Sequence, residues 1–255
     1  MRIPNENKRA QLITSRDQLI GFLTAGARPE SDWGIGAEME KLVLDIHTGE
    51  AAEFDRVEAL LSALAKSGDW QEVREGARLI GLQGEHSSIT LEPGSQLELS
   101  GQLCADLFCN CNDFSKYIVN VVAACNELGL ILVGLGVQPF TPLDKIEWAP
   151  KSRYDIMGPY MLKTGDMGQR MMKQSAGLQV NLDFSHESAA PRPLPLDQAP
   201  SPLTYDLFPH SPVMPGNPSR LLAPPRVLCS STDPHRTGLP TFSGTPDIPP
   251  LADCH

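Results

Sequence analysis

Carboxylates and amides recur at two-residue spacing in several short stretches of this 255-residue chain: Glu38 and Glu40; Thr90 and Glu92; Gln96, Glu98 and Ser100; Gln179, Asn181 and Asp183. In extended backbone, residues i and i+2 share a face. Each stretch then has one oxygen-bearing side, opposed by Met39 and Val43, by Ile89 and Leu91, by Leu97 and Leu99, and by Val180, Leu182 and Phe184. Carboxylates concentrated without nearby Lys or Arg repel one another unless a cation neutralises them. Oxygen donors without a cysteine or histidine cluster suit Mg²⁺ or Mn²⁺ rather than zinc, and such ions commonly bridge nucleotide phosphates. For any single strand, the solvent face of an amphipathic sheet is the simpler reading. Repetition of the pattern weakens that reading, and both stay open on spacing alone.

The elements that must position these residues are legible in outline. Ser15 with Gln18 three residues on is a capping-box pattern that opens a helix through Leu19, Ile20 and Leu23, closed by Gly26 and Pro29. Trp33 to Asp45 reads as a strand-like segment with a turn at His47-Thr48-Gly49. Val57, Leu60, Leu61 and Leu64 have helical spacing, with Gly68 as a stop. Leu79–Leu82, Ile89–Glu92 and Leu97–Leu99 are expected as strands punctuated by Gly84 and Pro93-Gly94. Leu107, Cys111, Phe114, Ile118, Val121, Cys125 and Leu128 form one apolar stripe of a long helix ended by Gly129. A buried strand over Leu130–Val137, a short helix over Asp166–Ser175 and a strand over Leu178–Phe184 complete the order. Grouped strands with helices between them predict an α+β fold with a largely antiparallel sheet.

Composition narrows the function classes. With 21 basic and 31 acidic side chains the formal net charge is −10, which argues against duplex nucleic acid or an anionic membrane as partner. No apolar run reaches the ~18 residues that span a bilayer. The six cysteines (104, 109, 111, 125, 229 and 254) form no CxxC pair. They are expected to be reduced, buried or incidental, and with no apolar leader at the N-terminus the expected location is a reducing cytoplasm. Oligomeric state is not legible.

The same residues carry a family resemblance. IGAEMEK (35–41), SITLEPGSQLELSG (88–101), PKSRYDIMGPYM (150–161) and QVNLDFSHE (179–187) resemble the motifs of plant-type and proteobacterial glutamate–cysteine ligases, from about Thr14 to Glu187. The resemblance implies a glutamine-synthetase-like fold, a curved antiparallel sheet with flanking helices whose concave face holds Mg²⁺ and ATP. It implies ligation of glutamate, through its γ-carboxylate, to cysteine by way of γ-glutamyl phosphate, the first step of glutathione synthesis. By matched position, Glu38, Glu40, Glu98 and Glu92 would be metal ligands, and Gln179 and Asn181 would face the nucleotide. Arg153 and Tyr154 would bind substrate, with Arg153 also catalytic; a packing tyrosine and a surface ion pair are the alternatives. Cys111 matches a family cysteine, and its stripe position implies core packing. Met39 departs from a residue that is often histidine in the family, but it faces away from Glu38 and Glu40.

Beyond Glu187 the resemblance breaks. Of the 23 prolines, 16 lie between Glu187 and His255, a density that helix and strand interiors do not tolerate. Within this stretch TDPHRTGLPTF (232–242) again resembles a family motif, and its Arg236 would stabilise the moving phosphoryl group. The expected organisation is a ligase catalytic half over 1–187 and a proline-rich, poorly ordered tail over 188–255, produced by a disrupted reading frame or a genuine linker. The sheet is expected to be incomplete on its C-terminal side, with exposed edges and low or absent activity. Two other readings stand beside this one: a related ATP-dependent carboxylate–amine ligase, and a non-catalytic fragment that binds nucleotide or a partner chain.

Overall fold

The computed structural model describes residues 12–186, the residue pairs 213–214 and 217–218, and residues 232–233. Its centre is β1 (Ile35–Asp45), an 11-residue strand long enough to serve three neighbours. One edge pairs with β5 (Leu97–Ser100), while the other pairs with β6 (Leu130–Val133) along its second half and β7 (Leu178–Leu182) along its first. Beyond β5 the sheet continues through β4 (Ser88–Leu91), β3 (Arg78–Gln83) and β2 (Gln71–Glu75), every pairing antiparallel. The architecture is therefore the α+β class with an antiparallel sheet that the sequence predicts.

Helices supply the apolar layer. α1 (Arg16–Thr24) stands apart with no buried residue. The Gln18 side chain reaches back as the capping pattern requires, but it accepts from the Thr14 amide at 2.7 Å. α2 (Phe54–Lys66) buries Val57, Leu60, Leu61 and Leu64, the stripe that its spacing predicts. α3 (Leu107–Glu127) lays Tyr117, Val121 and Cys125 on the same core, against Met39, Ile89, Leu91, Leu97 and Leu99 from the sheet. Burying such a side chain contributes on the order of 1.5–3 kcal/mol. This one-sided core leaves the other face of the strands polar.

Several expectations change. The apolar stripe of α3 does not run its full length: Leu107 and Cys111 are exposed, and Asn110 is the buried residue of the first turns. Core packing of Cys111 is thus overturned. Cys104 and Cys109 are not reduced but joined in a disulfide. The Asp106 carboxylate caps the Cys109 amide at 2.8 Å, and this turn folds the two cysteines together. The strand expected over 130–137 is regular only to Val133, and within it Leu130 and Val137 are buried. α4 (Arg153–Thr164) occupies a stretch the periodicity missed, since Pro159 lies inside it. α5 (Gly168–Gln174) fits the short helix expected there. In the proline-rich tail, β8 (Val213–Met214) pairs antiparallel with β9 (Asn217–Pro218).

Candidate functional site

Strand register sets the polar face. Glu40 lies opposite Glu98, and Thr90 lies opposite Glu98 from the other side, so these three side chains form one row across β1, β5 and β4. The next row places Glu38 and Ser88 on either side of Ser100, with Gln179 beside Glu38 from β7. Glu92 joins by a different route. β4 ends at Leu91, so Glu92 is not a strand residue as its spacing suggests. It opens a turn in which its carbonyl accepts from the Ser95 amide at 2.8 Å and its amide donates to the Gln96 carbonyl at 2.9 Å. Ser95 sits at φ 64°, and a Cβ on Gly94 would collide with the Lys173 carbonyl, so Pro93-Gly94-Ser95 is committed to this tight return.

The result is a trio. One carboxylate oxygen each from Glu40, Glu92 and Glu98 lies within 4.8 Å of the others, all three side chains half-buried. Thr90 and Ser100 hydroxyls donate to the two oxygens of Glu98 at 3.2 and 2.8 Å, and the Gly177 amide donates to Glu40 at 2.6 Å. Among the described residues, none of the three carboxylates is in an ion pair. Burial, then contact with Glu98 and the charge of Glu40, pushes the Glu92 carboxyl well above the ordinary carboxylate range. Burial also raises Glu40, opposed by the Gly177 hydrogen bond and reinforced by the charges of Glu98 and Glu38. A preassembled, oxygen-only donor set carrying this much repulsion fits a hard divalent cation.

Glu38, expected as a fourth ligand, falls outside the trio. It accepts from the Asn181 amide at 3.3 Å, and Asn181 accepts from Gln179 at 3.0 Å. Glu38 and Asn181 line an open cavity of about 760 Å³ together with Arg28, His86, Ser100 and Gln102. Gln96, expected on the oxygen face, is instead buried and donates to the Met172 and Ser175 carbonyls at 3.0 and 2.7 Å. Asp183 leaves the face too, holding the Gly34 amide at 3.0 Å and pairing with Arg28.

From α4, Tyr154 is buried against Trp148, ring centroids 5.9 Å apart, and so is a packing residue whatever else it does. Arg153 donates to the Tyr154 hydroxyl at 2.9 Å and stacks on that ring, with no carboxylate ion pair among the described residues. Both lie in the field of Glu92 and Glu98. Spacing did not single out Lys151, which stands two residues before Arg153 in the same motif. Its ammonium donates to the Leu91 carbonyl at 2.6 Å, and burial, then the Arg153 charge, brings it down to about 8 against the pull of Glu92, Glu98 and Glu75. Arg236 lies outside the described residues, as do Cys229 and Cys254. The start of its motif is described: Thr232 and Asp233 are buried, and the Tyr160 hydroxyl donates to Asp233 at 3.0 Å.

Comparison with known proteins bears on these motifs as a set. The profile of "Glutamate-cysteine ligase family 2 (GCS2)" matches residues 34–246, taking in the polar strands, α4, the proline-rich stretch and the 232–242 island. A chloroplastic glutamate–cysteine ligase of Brassica juncea is 36% identical over 228 residues, 89% of this chain and 44% of that protein. The Solanum lycopersicum enzyme is 36% identical over 233 residues, 91% of this chain and 44% of that protein. Glutamate–cysteine ligase A of Oryza sativa subsp. japonica is 35% identical over 228 residues, 89% of this chain and 46% of that protein. The chain thus spans under half the length of these relatives. Their names place those proteins in the chloroplast and overturn the cytoplasmic expectation, which rested on cysteine spacing and N-terminal composition. Among the described residues no helix is long and apolar enough to cross a membrane. With its motifs in family order from β1 through the 232–242 segment, the chain belongs to glutamate–cysteine ligase family 2.

Proposed function

We propose that this chain carries the metal- and nucleotide-binding part of an ATP-dependent ligase that joins the γ-carboxylate of glutamate to the amine of cysteine. The observation that carries the reading is the trio Glu40, Glu92 and Glu98, three carboxylates within 4.8 Å with no paired cation among the described residues. In this reading the trio holds Mg²⁺, with Glu38 at its flank. Bound there, Mg²⁺ would neutralise nucleotide phosphate charge. Gln179 and Asn181 offer amide groups to the nucleotide on the same face, and Arg153 with Tyr154 offers a guanidinium and a phenol to the substrate carboxylates. Arg236 is the proposed phosphoryl-facing cation.

The reaction balances without a protein nucleophile. A γ-carboxylate oxygen of glutamate attacks the terminal phosphorus of ATP, the β–γ bridge breaks, and γ-glutamyl phosphate and ADP result. The cysteine amine then attacks the acyl carbon, phosphate departs, and the amine loses one proton as the amide forms. We read residues 1–187 as the N-terminal part of a glutamine-synthetase-like catalytic domain and 188–255 as a separate tail. The all-antiparallel sheet with helices on one face and carboxylates on the other supports that assignment.

All five residues of β7 are exposed, so this rim of the face is open, and turnover by the chain alone is expected to be low. Titration calorimetry of the full chain with Mg-ATP tests the reading. Binding that Glu98→Gln weakens at least tenfold supports it; absence of Mg-ATP binding, or equal binding by the variant, overturns it. ADP release with glutamate, cysteine and Mg-ATP then measures whether the chain completes the reaction.

A further inference from the structure

Glu92 differs from its two partners in how it is held. Glu40 and Glu98 project from paired strands, whereas Glu92 sits past the end of β4, in a turn held by its own bonds to Gln96 and Ser95. The peptide carbonyls on both sides of it are grasped by one segment. The Lys151 ammonium donates to the Leu91 carbonyl at 2.6 Å, and the Ala149 amide donates to the Pro93 carbonyl at 2.8 Å. Leu91, Pro93 and Ala149 are buried and Lys151 is half-buried, which limits the water that competes for these carbonyls.

Lys151 is the only side chain in this clamp, and it brings a charge as well as a donor. An uncharged donor could satisfy one carbonyl. An ammonium also offsets the repulsion between Glu92 and Glu98, and so lets them stand together before a cation arrives. We propose that Lys151 is a positioning residue for the carboxylate trio: by holding the Leu91 carbonyl it fixes the turn from which Glu92 reaches Glu40 and Glu98. This rests on the metal-binding reading above. It assigns Lys151 no contact with substrate or metal.

The test uses the full chain with Mn²⁺ as the probe, read by electron paramagnetic resonance, together with amide exchange at Glu92 and Ser95, whose hydrogen bonds define the turn. Lys151→Met is expected to weaken Mn²⁺ binding about tenfold or more, the usual cost of losing an outer partner of a metal ligand. It is also expected to accelerate exchange at both amides. Lys151→Arg, which keeps charge and donor, is expected to restore both. Wild-type values for Lys151→Met overturn the proposal, and so does Lys151→Arg if it loses as much as Lys151→Met. If Glu98→Gln and wild type bind Mn²⁺ alike, the metal reading fails. The exchange comparison then still decides the positioning role, with faster exchange in Lys151→Met supporting it and unchanged exchange overturning it. Should Lys151→Met fail to fold, Lys151→Ala, which likewise removes both donor and charge, takes its place with the same outcomes.

Discussion

The Tyr160 hydroxyl donates a 3.0 Å hydrogen bond to Asp233 across 73 residues of chain. It joins α4, whose first turn carries Arg153 and Tyr154, to the opening of the motif that carries Arg236. Thr232 and Asp233 are 1% and 4% exposed, so the island that follows the proline-rich stretch begins docked on the body.

Removing this tether tests whether it holds the segment. Tyr160→Phe keeps the ring and deletes the donor, at an expected cost of about 1 kcal/mol. Amide exchange at Thr232 and Asp233 is expected to quicken while exchange in the core of α2 stays as it was. Equal exchange in both proteins would show that other contacts hold the segment.

Position within the polar face ranks the acidic residues. Glu40 and Glu98 belong to the trio, whereas Glu38 turns to Asn181. Mn²⁺ affinity measured by calorimetry is expected to fall at least tenfold in Glu40→Gln and in Glu98→Gln, and only a few-fold in Glu38→Gln. An equal loss in all three would place Glu38 among the ligands.

The raised Glu92 carboxyl gives stability a pH dependence with a definite sign. Its protonated form is favoured in the folded state, so its contribution is fully present below its ordinary value of 4.5 and is lost as pH rises through about 8. Denaturant unfolding of the metal-free chain is expected to show stability falling between pH 5 and 8.5, and Glu92→Gln is expected to flatten that fall. Saturating Mg²⁺ is expected to offset it, because the cation favours the ionised form. A decline as steep in Glu92→Gln as in wild type would assign it to another group.

The cysteines differ in accessibility. Cys111 is exposed, Cys125 is buried, and Cys104 and Cys109 are joined. Alkylation followed by peptide mass spectrometry is expected to label Cys111 in the native protein and Cys104 with Cys109 only after reduction. Cys125 is expected to react only on unfolding, since burial pushes its thiol up to about 11 and leaves little thiolate. Labelling of Cys104 without reductant would contradict the bridge.

Much of this organisation is written locally. Two-residue alternation suffices to place Glu38 with Glu40, and Gln179 with Asn181, on one side of their strands, because a strand's side-chain period is local geometry. The same holds for the buried stripe of α2, whereas the edge strand β2 carries no apolar run that would mark it. Gly49, with its positive φ, marks the turn after β1 for the same reason. By contrast, α4 was masked by Pro159, whose local propensity disfavours the helix that tertiary contacts retain.

What the tertiary structure alone decided is which carboxylates meet. Register across three strands puts Glu40 and Glu98 in one row with Thr90, and a tight turn outside any strand brings Glu92 to them while Glu38 is left one row away. Register is a relation between segments distant in sequence, set by the packing of the whole sheet, so no spacing within one segment encodes it. Lys151 illustrates the same limit: its partner is the Leu91 carbonyl, 60 residues earlier. The sequence determined the chemistry of the donors, and the fold decided which of them share a site.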